Sequence, residues 1–141
     1  MHKLLRWVLP SLLIASFAVS QDRFPEGVFA GKGLKTYADG TTKTYTLEFT
    51  IKGNQLNFSY QLPSGPVGYA LELTYEKFGF FKVGTIGEGY CGASFCHYSV
   101  QLDPETVEEW TFLFDGSHLK KVGSLTGPKV HAYWDEDLKQ K

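Results

Sequence analysis

The chain has 141 residues, 14 Lys+Arg against 15 Asp+Glu, 43% hydrophobic and 16% aromatic residues. That is the length of one domain with one core, and the apolar content excludes a disordered chain. The near-neutral balance excludes an electrostatic nucleic-acid binder and a polybasic membrane-surface protein.

The opening segment carries Lys3 and Arg6, then an apolar run from Trp7 to Val19, with Ala18 and Ser20 at the −3 and −1 places before Gln21. This pattern predicts a secretory signal peptide over 1–20, cleaved near Ser20-Gln21, and a single β-barrel domain over 21–141 in a secreted or periplasmic location. Without its leader the chain has twelve basic and fifteen acidic residues, a net charge of −3. The leader's run is short for a membrane span and no later stretch approaches one, so membrane insertion is not expected. No cysteine lies near the cleavage site, which argues against a lipid anchor.

Period-two alternation dominates the rest. Val28–Ala38 reads as a glycine-bearing first strand ending at Asp39-Gly40. In Thr44–Lys52, Tyr45, Leu47, Phe49 and Ile51 share one face, and Gly53-Asn54 makes a hairpin turn. Leu56, Phe58, Tyr60 and Leu62 continue, up to Pro63-Ser64-Gly65-Pro66, where the prolines end the strand. Tyr69, Leu71, Leu73 and Tyr75 form the next inward set. Asn57-Phe58-Ser59 matches a glycosylation sequon.

Phe80–Ile86 is a short strand, followed by a glycine-rich connection from Gly84 to Gly92 of the kind that forms lids or contact loops. Cys91 and Cys96 are an even pair in an exported chain, which predicts a disulfide. Their spacing is not that of a redox CxxC motif, and a zinc site with His97 would lack a fourth ligand. Cys96, Tyr98, Val100 and Leu102 share a face. So do Trp110, Phe112 and Phe114. Ser117–Thr126 is strand-like with a phase slip between Leu119 and Val122, which suggests a bulge. Val130, Ala132 and Trp134 form the last alternating segment. Asp135–Lys141 reads as a charged, fraying tail.

Nine strand candidates at this spacing, with hairpin links, predict an all-β antiparallel up-and-down barrel of about eight to nine strands. A two-sheet sandwich satisfies the same alternation. The aromatic face of Phe49, Phe58, Tyr60, Tyr69, Tyr75, Tyr98, Trp110, Phe112 and Phe114 is the candidate lining of an interior cavity.

The run Gly27-Val28-Phe29-Ala30-Gly31-Lys32-Gly33 after Phe24-Pro25 resembles the opening of calycin-type barrels: lipocalins, avidins, fatty-acid-binding-like and nitrobindin-like proteins. Those families begin near a glycine with an aromatic residue two positions on, usually tryptophan where Phe29 stands. The nitrobindin-like ones repeat glycine at the spacing of Gly31 and Gly33. The resemblance implies a barrel built around a small apolar ligand. In nitrobindin-like proteins it also implies a haem-ligating histidine near the C-terminus, for which His131 is the nearest position. The residues after it, Ala132-Tyr133-Trp134, depart from that pattern, so no cofactor is expected.

No nucleophile elbow, zinc-protease helix or phosphate loop is present, and Glu48, Glu72 and Glu76 alternate outward as a solvated face. Glu108-Glu109 and Asp135-Glu136-Asp137 read as turn and tail charges. His97 and His118 fall on polar positions. Catalytic and metal-binding residues are therefore expected to be absent. The function expected is non-enzymatic binding of a small hydrophobic molecule. The alternative is a protein-interaction or inhibitor module acting through loops around 84–95.

Overall fold

The computed structural model describes residues 23–141, so the expected signal peptide lies outside the described residues. Ten strands follow in chain order: β1 (Gly27–Tyr37), β2 (Thr42–Lys52), β3 (Gln55–Leu62), β4 (Gly65–Tyr75), β5 (Phe80–Val83), β6 (Gly87–Cys91), β7 (Phe95–Asp103), β8 (Thr106–Asp115), β9 (His118–Thr126) and β10 (His131–Gln140). Each pairs antiparallel with its neighbours in sequence, and β10 returns to β1, from Phe29 opposite Gln140 to Tyr37 opposite Ala132. The architecture is thus a closed up-and-down barrel and not a sandwich.

Three departures from the sequence reading have physical causes. The connection expected over 84–92 is mostly β6, a strand that brings the count from nine to ten. Its glycines lie flat between β5 and β7, and only Gly84–Ile86 form the turn. The charged tail does not fray. It is β10, and on the outer face Lys120 bridges Asp135 and Asp137. There is no bulge between Leu119 and Val122, because both ladders of β9 run in continuous register. The apparent slip arises because Lys121 takes the inward position and Val122 the outward one. The register does shift in β7, between Gln101 and Asp103. As expected, β3 ends at Leu62 before Pro63, and Pro66 stands second in β4, opposite Gln61.

Apolar side chains point inward, while Thr46, Glu48, Thr50 and Lys52 alternate with them on β2 and point outward. That polarity is the inverse of a lipid-facing barrel. Among the described residues no helix is long and apolar enough to cross a membrane.

The two ends of the barrel are packed differently. Ten strands enclose a wider interior than the eight that side chains alone can fill. At one end the width is taken up by aromatics and by the chain entering the barrel. Phe24 is buried edge-on against Phe81 and Phe112, at 5.7 and 4.9 Å between centroids. Its N–H donates to the Tyr75 hydroxyl at 3.3 Å, and the Arg23 guanidinium lies over the Tyr75 ring. Phe29 and Phe114 complete this plug. The other end is open.

Cys91 and Cys96 are directly opposed on β6 and β7, with Cα atoms 4.0 Å apart, and are joined by a disulfide. Both are buried. The bond closes the turn Gly92–Ser94, and so short a loop contributes about 2 kcal/mol through the unfolded state. Replacing both cysteines by serine is expected to lower stability by roughly 1–3 kcal/mol with the barrel intact. Chemical denaturation of the two proteins checks this, and a loss of cooperative unfolding would contradict it.

Candidate functional site: an aromatic cup over a buried ion pair

The open end holds a cavity of about 980 Å³, which reaches the turns β1–β2, β3–β4 and β5–β6. Its wall is carried by Tyr45, Tyr60, Tyr69, Tyr98, Trp110 and Trp134. Its lip is apolar: Leu62, Val67, Ile86 and Leu102 are all more than a third exposed. On one side an aromatic stack rises from the packed core into the wall. Phe49 stacks on Phe58 at 4.7 Å, Phe58 on Tyr69 at 4.6 Å, and Tyr69 on Tyr60 at 6.0 Å. The Tyr60 and Tyr69 hydroxyls stand 3.5 Å apart.

The nine aromatics expected to line the interior do all face inward, and they divide into two groups. Tyr60, Tyr69, Tyr98 and Trp110 line the cavity. Phe49, Phe58 and Phe112 belong to the packed core, and Tyr75 and Phe114 to the closed end around Phe24. Alternation fixes which face a side chain takes, but not its height along the barrel.

Glycine makes this wall possible. Gly33 on β1 stands between Tyr45 on β2 and Glu136 on β10 in one row across three strands. A Cβ at Gly33 would overlap the Tyr45 ring. Without one, the Tyr45 hydroxyl crosses the gap and donates to Glu136 Oε1 at 2.6 Å. Gly123 on β9 repeats the device between Trp110 and Trp134. A Cβ there would meet Trp110 Cδ2 at 2.7 Å, and its absence lets the two indoles approach to 5.4 Å.

Sequence reasoning missed the charges on the inward face. Glu136 is not a tail charge. It is fully buried opposite Lys121, which is also fully buried, with Nζ 2.6 Å from Glu136 Oε2. The ammonium is boxed by Phe49, Phe58, Trp110 and Phe112 at 4.7 to 5.5 Å. Ring faces supply cation–π attraction but accept hydrogen bonds poorly. Burial pushes the Lys121 pKa below its ordinary value, against the pull of Glu136. Glu108 is likewise a strand residue, on the inward face of β8. It lines the cavity and accepts a hydrogen bond from Trp110 Nε1 at 2.6 Å. Strict alternation from Leu119 through Lys121 to Gly123, and from Trp134 through Glu136 to Leu138, was the available signal.

The histidines of the described residues lie outside the cup. His97 is on the outer face, 2.9 Å from Thr111 Oγ1, His118 lies near Asp137, and His131 is exposed at the start of β10. The cup therefore offers no imidazole to a haem iron. Among the described residues no three His, Cys, Asp or Glu side chains converge as metal ligands.

No protein-family model and no curated protein matches the chain. A solved structure does: the crystal structure of Rv2717c from M. tuberculosis, at TM-score 0.52 and 14% identity, covering 82% of this chain and 92% of that one. The likeness shows a shared barrel fold.

Two predictions follow from the cup's polar chemistry. Lys121→Met leaves a buried carboxylate without its cation and is expected to cost about 3–5 kcal/mol. Lys121→Met combined with Glu136→Leu should cost less than that single change, since replacing both partners removes the unpaired charge. Denaturant titration of the single and double variants reads the coupling, and simple additivity would refute it. The second concerns alkaline pH. Burial raises the pKa of Tyr45, Tyr60, Tyr69, Tyr75 and Tyr98, with Glu136 adding to the effect at Tyr45 and Tyr60. A raised folded pKa gives stability that is fully present below the ordinary tyrosine value of 10.0 and is lost as pH rises beyond it. Lys121, with a lowered pKa, acts in the opposite direction as pH rises toward 10.5. Five tyrosines outweigh one lysine, so stability should fall above about pH 10. Tyrosinate absorbance from these five side chains should appear together with unfolding, and their ionisation in the still-folded barrel would contradict this.

Proposed function

We propose that this is an exported, non-catalytic binding protein that holds a small hydrophobic molecule in the aromatic cup of its barrel. The observation that carries the reading is the cavity itself. Its volume lies at the upper end of the range for small-molecule sites, and its wall is aromatic and aliphatic with a few polar groups to orient a ligand. Tyrosine and tryptophan serve such a site well, because each offers a large apolar face and one polar atom. The disulfide is compatible with an extracellular or periplasmic location, and the leader pattern of residues 1–20 supports export.

A second reading, a protein-interaction module, has its own observation. On the outer face, Phe80 and Tyr90 are exposed and Tyr90 packs edge-on to Phe95 at 5.6 Å, with Phe78, two residues before Phe80, 86% exposed. Tyr90 and Phe95 fall within the 84–95 segment expected to carry such contacts, and β6 and β7 hold them rigidly.

Native mass spectrometry of protein from its own host tests the first reading in one experiment. The expected result is a chain beginning at or near Gln21 that carries a co-purifying small molecule. Added to ligand-free protein, an apolar probe should change the emission of the paired Trp110 and Trp134. It should also stabilise the fold by about 2.7 kcal/mol at a hundredfold excess over Kd. No thermal shift and no emission change with any apolar probe would overturn the ligand reading and favour the outer aromatic surface.

A further inference from the structure

The cup has a charged corner that folding by itself does not account for. Lys35 on β1 and Lys43 on β2 are directly opposed in the ladder, and both line the cavity. Like charges facing each other across a strand pair destabilise it. Among the described residues neither ammonium pairs with a carboxylate, although other lysines, such as Lys82, Lys120 and Lys141, do. Both ammoniums instead approach one aromatic ring, Tyr37, at 4.8 and 5.6 Å, and Lys35 also lies 5.0 Å from the Trp134 ring. These contacts hold two positive charges together at the margin of an apolar chamber.

Among the described residues, the one carboxylate lining the cavity is placed elsewhere. Glu108 is on β8, separated from β1 by β10 and β9, and is fixed by the Trp110 indole. An anion in the cup is therefore drawn toward the β1–β2 corner and repelled from the β8 wall. The remaining lining near Tyr60, Tyr69, Leu71, Tyr98 and Val100 offers mainly apolar surface to the rest of such a molecule.

We propose that the cup takes an elongated amphiphile whose anionic head group sits between Lys35 and Lys43 while its apolar tail fills the aromatic interior. This rests on the hydrophobic-ligand reading and adds its head-group chemistry. Lysines present point charges without the planar fork of arginine. A carboxylate and a sulfate head should therefore both be accepted.

The test compares tetradecanol, tetradecanoate and tetradecyl sulfate, each below its aggregation concentration, on the mature chain, with tryptophan emission as the readout. Both anions are expected to bind about tenfold or more tightly than the alcohol, with the advantage shrinking as salt is added. Lys35→Gln with Lys43→Gln should abolish that advantage, read as the ratio of anion to alcohol affinity. The ligand-free double variant should melt no lower than the parent, because a repulsive pair has been removed. Equal binding of alcohol and anions would overturn the head-group assignment alone. So would an anion advantage that survives the double substitution. Failure of all three probes to bind would overturn the hydrophobic-ligand reading together with this one.

Discussion

The pairing of β10 with both β9 and β1 is the constraint on which the interior depends. A strand bearing Asp135, Glu136 and Asp137 is a poor candidate for the seam of a closed sheet. It serves because its charges are answered on both faces. Outside, Lys120 bridges two of the carboxylates, and inside, Lys121 meets the third. Surface pairs of the first kind contribute little. The inner pair differs, because neither charge can be left unpartnered once the other is buried. The charge sequence of β9 and β10 thus restricts register as well as stability. A one-residue slip would place Glu136 outside and a different carboxylate beneath the cup.

Closure also fixes how aromatic bulk is distributed. A ten-stranded barrel is too wide to be filled everywhere by its own side chains, and this chain fills one end and leaves the other open. At the filled end Phe24 enters from before β1 and packs edge-on against the core. At the open end large rings lean across inward glycines, as Tyr45 does across Gly33 and Trp110 across Gly123. The wall is therefore made of rings lying along the barrel surface, which leaves room at the centre. The filled end supplies the buried apolar area that stabilises the fold, so the cup can remain open without threatening it.

Polar atoms in the cup are few and specifically placed. Tyr45 reaches Glu136, Trp110 reaches Glu108, and Lys35 and Lys43 converge on Tyr37. The first of these belongs to the framework under the cup, while the other two are exposed to its contents. The chamber thus sets a positive corner at β1–β2 apart from the Glu108 carboxylate on β8, with apolar surface between them.

The sequence by itself determined the all-β class, the antiparallel meander, the inward set of aromatics and the Cys91–Cys96 pairing. Each of these is a local property: alternation with period two, hairpin turns a few residues long, and two cysteines close in the chain. The tertiary structure alone decided what depends on neighbours distant in sequence. Gly87–Cys91 became a strand because β5 and β7 lie on either side of it, although its glycines carry no strand signal of their own. The tail became β10 because β1, about a hundred residues earlier, supplied its partner. Lys121 and Glu136 looked like a phase slip and a solvated charge, since a charge on the inward face is favourable only when its counter-charge stands directly across the ladder. The division of one aromatic face into a plug and a cup followed from strand stagger around a closed barrel, which sets height along the axis and leaves no trace in any single strand.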